Sequence, residues 1–186
     1  MSRIGVILGS TRPNRISPEI GQWAVQELSN GSELDYEIID LKDLGLPVYD
    51  EPQSPRASND YQNEHTKKWS ALANSFDGFV LILPEYNGSI PGVLKNALDY
   101  LYQEWEGKPV AYVSYGFGSG ANSAAAFEAI ASYYGFKLVD KNAKLQLSGD
   151  TYGADGKLLD PAQIFGAQAA DVKAIDAALK DALAAS

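Results

Sequence analysis

Apolar residues along this chain fall into two alternating patterns. Residues 4–8 read Ile-Gly-Val-Ile-Leu and end in Gly9-Ser10. An unbroken apolar run of that length predicts a strand covered on both faces. From Ser17 the spacing becomes helical, with Ile20, Trp23, Ala24 and Leu28 on one side. Ser17 is placed to cap that helix, Pro18 suits its first position, Glu19 complements its positive end, and Asn30-Gly31 stops it. The alternation continues with a strand over 34–41, a proline-containing connection over 42–60, and a helix over 61–76 carrying Trp69, Leu72 and Ala73. A second fully apolar strand, 79–83, is closed by Pro84, and Pro91 opens a helix to about 104. A strand over 109–114, a glycine-rich turn and a helix over 121–134 follow. The last strand material spans 138–147, interrupted around 140–143. Val172, Ile175, Leu179 and Ala182 mark a terminal helix on which Asp176 and Lys180 can pair at i,i+4.

Strands alternating with helices imply right-handed crossovers and a parallel sheet covered on both sides. Five such units predict an α/β, doubly wound, five-stranded parallel sheet of order 2-1-3-4-5. The 186 residues suffice for one buried core, so 1–186 is read as a single domain. Residues 47–60, with Pro47, Pro52 and Pro55, form a surface excursion rather than a domain boundary.

Composition then removes function classes. The chain has no cysteine, hence no disulfide, no thiolate-held cluster and no cysteine nucleophile. His65 is the only histidine, which rules out a multi-histidine zinc site. We therefore expect neither a metal nor a side-chain nucleophile. His65 and the acidic residues Asp171, Asp176 and Asp181 read as solvated helix positions. A net charge of -9 gives no attraction for nucleic acid or anionic lipid. No apolar run reaches membrane-spanning length and the start leads straight into a strand, so the expected location is cytoplasmic.

In an open parallel sheet, ligands bind beyond the carboxyl ends of the strands, near the switch in strand order. Three loops leave such ends. The first, Gly9 to Ser17, precedes a helix N-terminus, where free N–H groups favour an anion. Ser10, Thr11 and Ser17 offer hydroxyls, and two of the four arginines in the chain, Arg12 and Arg15, fall here. Either can supply the charge, and the spacing does not choose between them. The second loop runs Pro84-Glu85-Tyr86-Asn87-Gly88-Ser89-Ile90-Pro91. Its Asn-Gly pair permits positive φ and close approach of backbone to a flat ligand. The third, Ser114-Tyr115-Gly116-Phe117-Gly118-Ser119-Gly120, exposes backbone donors and leaves room beside them.

Together, Gly9-Ser10-Thr11-Arg12, the run from Pro84 through Asn96-Ala97-Leu98-Asp99, and Ser114-Tyr115-Gly116 resemble the NADPH-dependent FMN reductase family. This flavodoxin-like group includes quinone, chromate and azo-compound reductases. The resemblance implies FMN as cofactor, NADPH or NADH as donor, and a small-molecule acceptor. It implies that Ser10, Thr11, Arg12, Arg15 and Ser17, with nearby amides such as that of Ile16, bind the FMN phosphate. Pro84, Glu85, Tyr86, Asn87 and Gly88 would line the isoalloxazine ring, and Ser114, Tyr115, Gly116 and Gly118 its other edge. No side chain need be catalytic, because flavin N5 carries the hydride. The family likeness also implies a homodimer or homotetramer, and the crowded aromatics Tyr100, Tyr102 and Trp105 are read as its interface. A flavodoxin-type carrier without NAD(P)H oxidase activity is the alternative, and a domain that has lost its cofactor ranks third.

Overall fold

The two uninterrupted apolar runs become the centre of the sheet in the computed structural model, which describes residues 1–185. Strand β1 (Arg3–Leu8) pairs in parallel with β2 (Asp35–Asp40) on one side and β3 (Gly78–Pro84) on the other. Strand β4 (Pro109–Gly116) lies beyond β3 and is itself buried along nearly its whole length. The order is β2-β1-β3-β4-β5, all parallel, as the alternation predicted. The fifth position is filled by two pieces, β5 (Lys137–Leu138) and β6 (Ala143–Gln146), both on β4. Between them the Asn142 side chain takes over the ladder, accepting the Tyr112 N–H at 2.8 Å.

Helices α1 (Ser17–Ser29) and α7 (Ala169–Ala184) cover one face of the sheet. Helices α3 (Glu64–Asn74), α4 (Gly92–Asp99) and α5 (Ala121–Ala131) cover the other. Single helical turns, α2 (Leu41–Leu44) and α6 (Pro161–Ile164), sit in the connections. Among the described residues no helix is long and apolar enough to cross a membrane.

Four expectations are corrected. Ser17 is the first helical residue rather than the cap, and Ile16 holds the cap position. The Ser17 hydroxyl is engaged elsewhere, with the Tyr115 hydroxyl at 2.8 Å. Helix α4 stops at Asp99, not near 104. Two indoles satisfy its terminal carbonyls instead: Trp69 Nε1 donates to Ala97 O at 2.9 Å and Trp105 Nε1 to Leu98 O at 3.1 Å. That turn drives Trp105 and Tyr100 into the core, where both are fully buried, so neither is an interface aromatic. Only Tyr102 of the three is partly exposed, with Arg56 over its ring.

His65 and Asp176 are likewise not free polar positions. His65 Nε2 meets Asp50 Oδ1 at 2.9 Å, and Tyr100 donates to the same oxygen at 2.9 Å, which ties the 47–60 excursion to α3 and α4. Asp176 accepts from Tyr36 at 2.8 Å and from Ser32, and pairs with Lys180 at 2.8 Å.

Candidate functional site

Because the strands are parallel, the loops after β1, β3 and β4 leave the same edge of the sheet. The first can turn there only because position 9 is glycine. A Cβ on Gly9 would lie 2.6 Å from Ile82 O, the carbonyl its own N–H bonds at 3.0 Å. Ser10 is buried; its Oγ meets the Tyr86 hydroxyl at 2.5 Å and accepts the Arg12 N–H at 3.3 Å. Ser10 and Ser17 thus each face a tyrosine hydroxyl from another loop. Burial, first of all, pushes the Tyr115 phenol well above its usual range, so it stays a neutral hydroxyl at physiological pH.

The two arginines differ sharply. Arg15 is nearly buried and its guanidinium pairs with Asp40 of β2, leaving Nε buried without a partner. Arg12 is exposed, and its guanidinium makes no ion pair or hydrogen bond among the described residues.

In the second loop, Tyr86 and Ser89 exchange backbone hydrogen bonds of 2.9 and 3.1 Å around Asn87 and Gly88. Both central residues have positive φ, 50° and 75°, the signature of a two-residue turn that suits Asn-Gly. The Glu85 N–H donates to Tyr115 O at 3.2 Å, which ties this loop to β4. In the third loop Gly120 has φ 66°, and a Cβ there would meet Tyr115 N at 2.6 Å. The Ser114 hydroxyl, buried, donates to Ser119 O at 2.9 Å and holds the turn closed.

These loops enclose one open cavity of about 530 Å³. Arg12, Arg15 and Ile16 line it from the first loop, residues 84–87 from the second, and residues 115–118 from the third. Arg12, Asn87 and Gly116, one from each loop, therefore meet at one concave spot. Five expected residues do not line it. Ser10, Ser17 and Ser114 are buried behind its wall, Thr11 is half-buried beside it, and Gly88 lies at the exposed tip of its turn.

Three further residues line it, outside the expected set: Phe117, Leu147 and Tyr152. Phe117 is 69% exposed at the rim. Leu147 follows β6, so the sheet order itself would have placed it at this edge. Tyr152 carried no signal. It arrives through a turn closed by Gly153 N–H to Lys157 O at 2.8 Å and Leu159 N–H to Thr151 O at 3.0 Å.

Residues 2–149 match the sequence model of the NADPH-dependent FMN reductase family. The chain belongs to that family. Among its relatives is an NAD(P)H-dependent FMN reductase of Schizosaccharomyces pombe, 40% identical over 149 residues, covering 80% of this chain and 74% of that one. A 2-hydroxy-1,4-benzoquinone reductase of a Burkholderia species is 31% identical over 125 residues, 63% of this chain and 62% of the relative. Among solved structures, the NAD(P)H:acceptor oxidoreductase FerB of Paracoccus denitrificans superposes with a TM-score of 0.72 at 24% identity, over 97% of this chain and 98% of that one. That likeness speaks for the flavodoxin-like fold. The family match ends at residue 149, so Tyr152 stands outside the matched region while lining the cavity.

Proposed function

We propose that this FMN reductase family member binds FMN in the 530 Å³ cavity and passes electrons from NADPH or NADH to small acceptors such as quinones, azo compounds or free flavin. The observation that carries the reading is the Arg12 guanidinium, unpaired among the described residues, sharing one cavity with the Asn87 turn and the Gly116–Gly118 backbone. The donor set fits a phosphorylated flat ring. Arg12 and the free amides before α1 suit the phosphate, and its charge-assisted bond is worth about 1.5–3 kcal/mol. Asp40 already neutralises Arg15, which leaves the phosphate to Arg12.

Bound FMN supplies hydride acceptance and donation at N5. The chain contributes placement. Backbone at 84–87 would border the ring, and glycines 116 and 118 leave room for a second flat molecule close to backbone. Free backbone N–H groups of these loops would offer hydrogen bonds to the ring, without any histidine or cysteine. Donor and acceptor take turns in the same opening, which gives ping-pong kinetics. The reading includes a cytoplasmic site of action, and a homodimer or homotetramer in which a second copy covers the exposed Phe117 at the rim.

The test is direct. Purified protein mixed with FMN should acquire the visible spectrum of a bound flavin, and anaerobic NADPH should bleach it. Protein that takes up no FMN sinks the proposal. Light scattering checks the assembly, and a monomer under working conditions removes that part of it.

A further inference from the structure

Helix α5 points its N-terminus at the cavity, yet it has no cap of its own. Gly120 stands at the cap position, and the first turn holds no acidic residue. The cap comes instead from 37 positions upstream: Glu85 Oε2 accepts the Asn122 N–H at 3.0 Å and Oε1 accepts Asn122 Nδ2 at 2.9 Å. Hydrogen bonding, first from the Asn122 side chain and then from the N–H groups of Asn122 and Ser123, holds the Glu85 carboxyl below the usual carboxylate range. Glu85 is thus ionised throughout the neutral range. Its own N–H is bound to Tyr115 O, and its Cβ lies 3.5 Å from where a Cβ on Gly116 would sit. Main chain and side chain of one residue fasten the second loop to the third.

We propose that Glu85 is a positioning residue that fixes the width of the slot between loops 84–88 and 116–120 and, by neutralising the positive end of α5, sets the electrical environment of the ring placed there. The inference rests on the reading of the cavity as a flavin site. A helix N-terminus carries about half a positive charge, whereas the carboxylate brings a full negative one. The balance at the start of α5 is therefore negative. A two-electron-reduced flavin carries more negative charge than the oxidised form, so a carboxylate on the cavity wall disfavours it relative to the oxidised form. The arrangement keeps bound FMN at a low potential, which suits a reductase that serves many acceptors.

Three variants separate the two roles. Glu85→Gln removes the charge and keeps both clamping bonds once the Asn122 amide turns over: the new amide oxygen accepts the Asn122 N–H and the new amide nitrogen donates to Asn122 Oδ1. It should move the midpoint potential of bound FMN to a more positive value and leave affinity for oxidised FMN within about twofold. Asn122→Ala keeps the charge and removes one of the two clamping bonds; it should weaken FMN binding several-fold without an upward shift in potential. Glu85→Ala loses both functions and should weaken FMN binding at least tenfold, while also raising the potential. Circular dichroism and thermal melting of the apoproteins check folding; should Glu85→Ala fail to fold, the other two variants carry the test. An unchanged or lower potential in Glu85→Gln overturns the electrostatic role, and unchanged FMN affinity in Asn122→Ala overturns the clamp. Wild-type protein that takes up no FMN overturns the site itself, and with it the role of Glu85. Wild-type protein that binds FMN beside variants indistinguishable from it overturns Glu85 alone.

Discussion

Arg12 and Arg15 sit three positions apart in one turn, and their fates diverge because of Asp40. Asp40 ends β2, which the parallel pairing lays against the end of β1, so Leu8 stands opposite Asp40 and Arg15 reaches it. Arg12 has no such neighbour. Replacing Arg12 by Ala is expected to weaken FMN binding by about 1.5–3 kcal/mol, roughly ten- to a hundredfold, with little change in apoprotein stability. Replacing Arg15 by Ala should instead cost the apoprotein about 1.5–3 kcal/mol, since it leaves the half-buried Asp40 carboxylate without its cation. Fluorescence titration with FMN and urea melts of both apoproteins distinguish the two. The sequence could not separate them, because two identical side chains in one polar turn look alike until the element that pairs with one of them is placed.

The elements meet at a few polar joints. One is Asp176 on α7, which joins the turn after α1 through Ser32 and strand β2 through Tyr36, while Lys180 pairs from the next turn. Burial alone would raise its pKa, but the bonds to Lys180, Ser32 and Tyr36 outweigh that and hold it below the usual carboxylate range. The stabilisation is therefore complete above the ordinary unfolded value, about 4, and is lost as the pH falls through the lower folded value. Asp176→Asn should cost about 1.5–3 kcal/mol at pH 7, and the gap to wild type should shrink in urea melts at progressively more acid pH. A second joint is the start of α5. Gly120→Ala forces a Cβ onto backbone at φ 66°, and we expect a loss of about 1–3 kcal/mol in thermal melts. The glycine was visible in the sequence as a turn residue, whereas the backbone nitrogen of Tyr115 that forbids a side chain there was not.

At the scale of the molecule, the cavity is a product of topology rather than of any single loop. Loop ends from β1, β3 and β4 share an edge only because every strand runs the same way and β1 lies between β2 and β3. FMN that binds across all three loops should stabilise them together. At about a hundredfold excess over Kd, linkage adds about 2.7 kcal/mol and should raise Tm by roughly 5–11 °C, read by differential scanning calorimetry with and without FMN. Riboflavin, which lacks the phosphate, should raise it less, because the interaction with Arg12 is missing.

Alternating apolar runs and helical periodicity determined the strands, the helices and their order, because burial on both faces or on one face leaves a direct mark on residue type. The glycines and the Asn-Gly pair marked the turns for the same local reason: only such residues accept the required backbone. The i,i+4 spacing also marked the Asp176–Lys180 pair, but the tertiary structure alone decided which partner polar groups take across the chain. It paired Arg15 with Asp40, capped α5 with Glu85, buried Tyr100 and Trp105, and brought Tyr152 to the cavity wall. Those outcomes depend on contacts between residues far apart in the chain, and a one-dimensional pattern holds no record of which distant groups the packing of the sheet and its helices will bring within hydrogen-bonding reach.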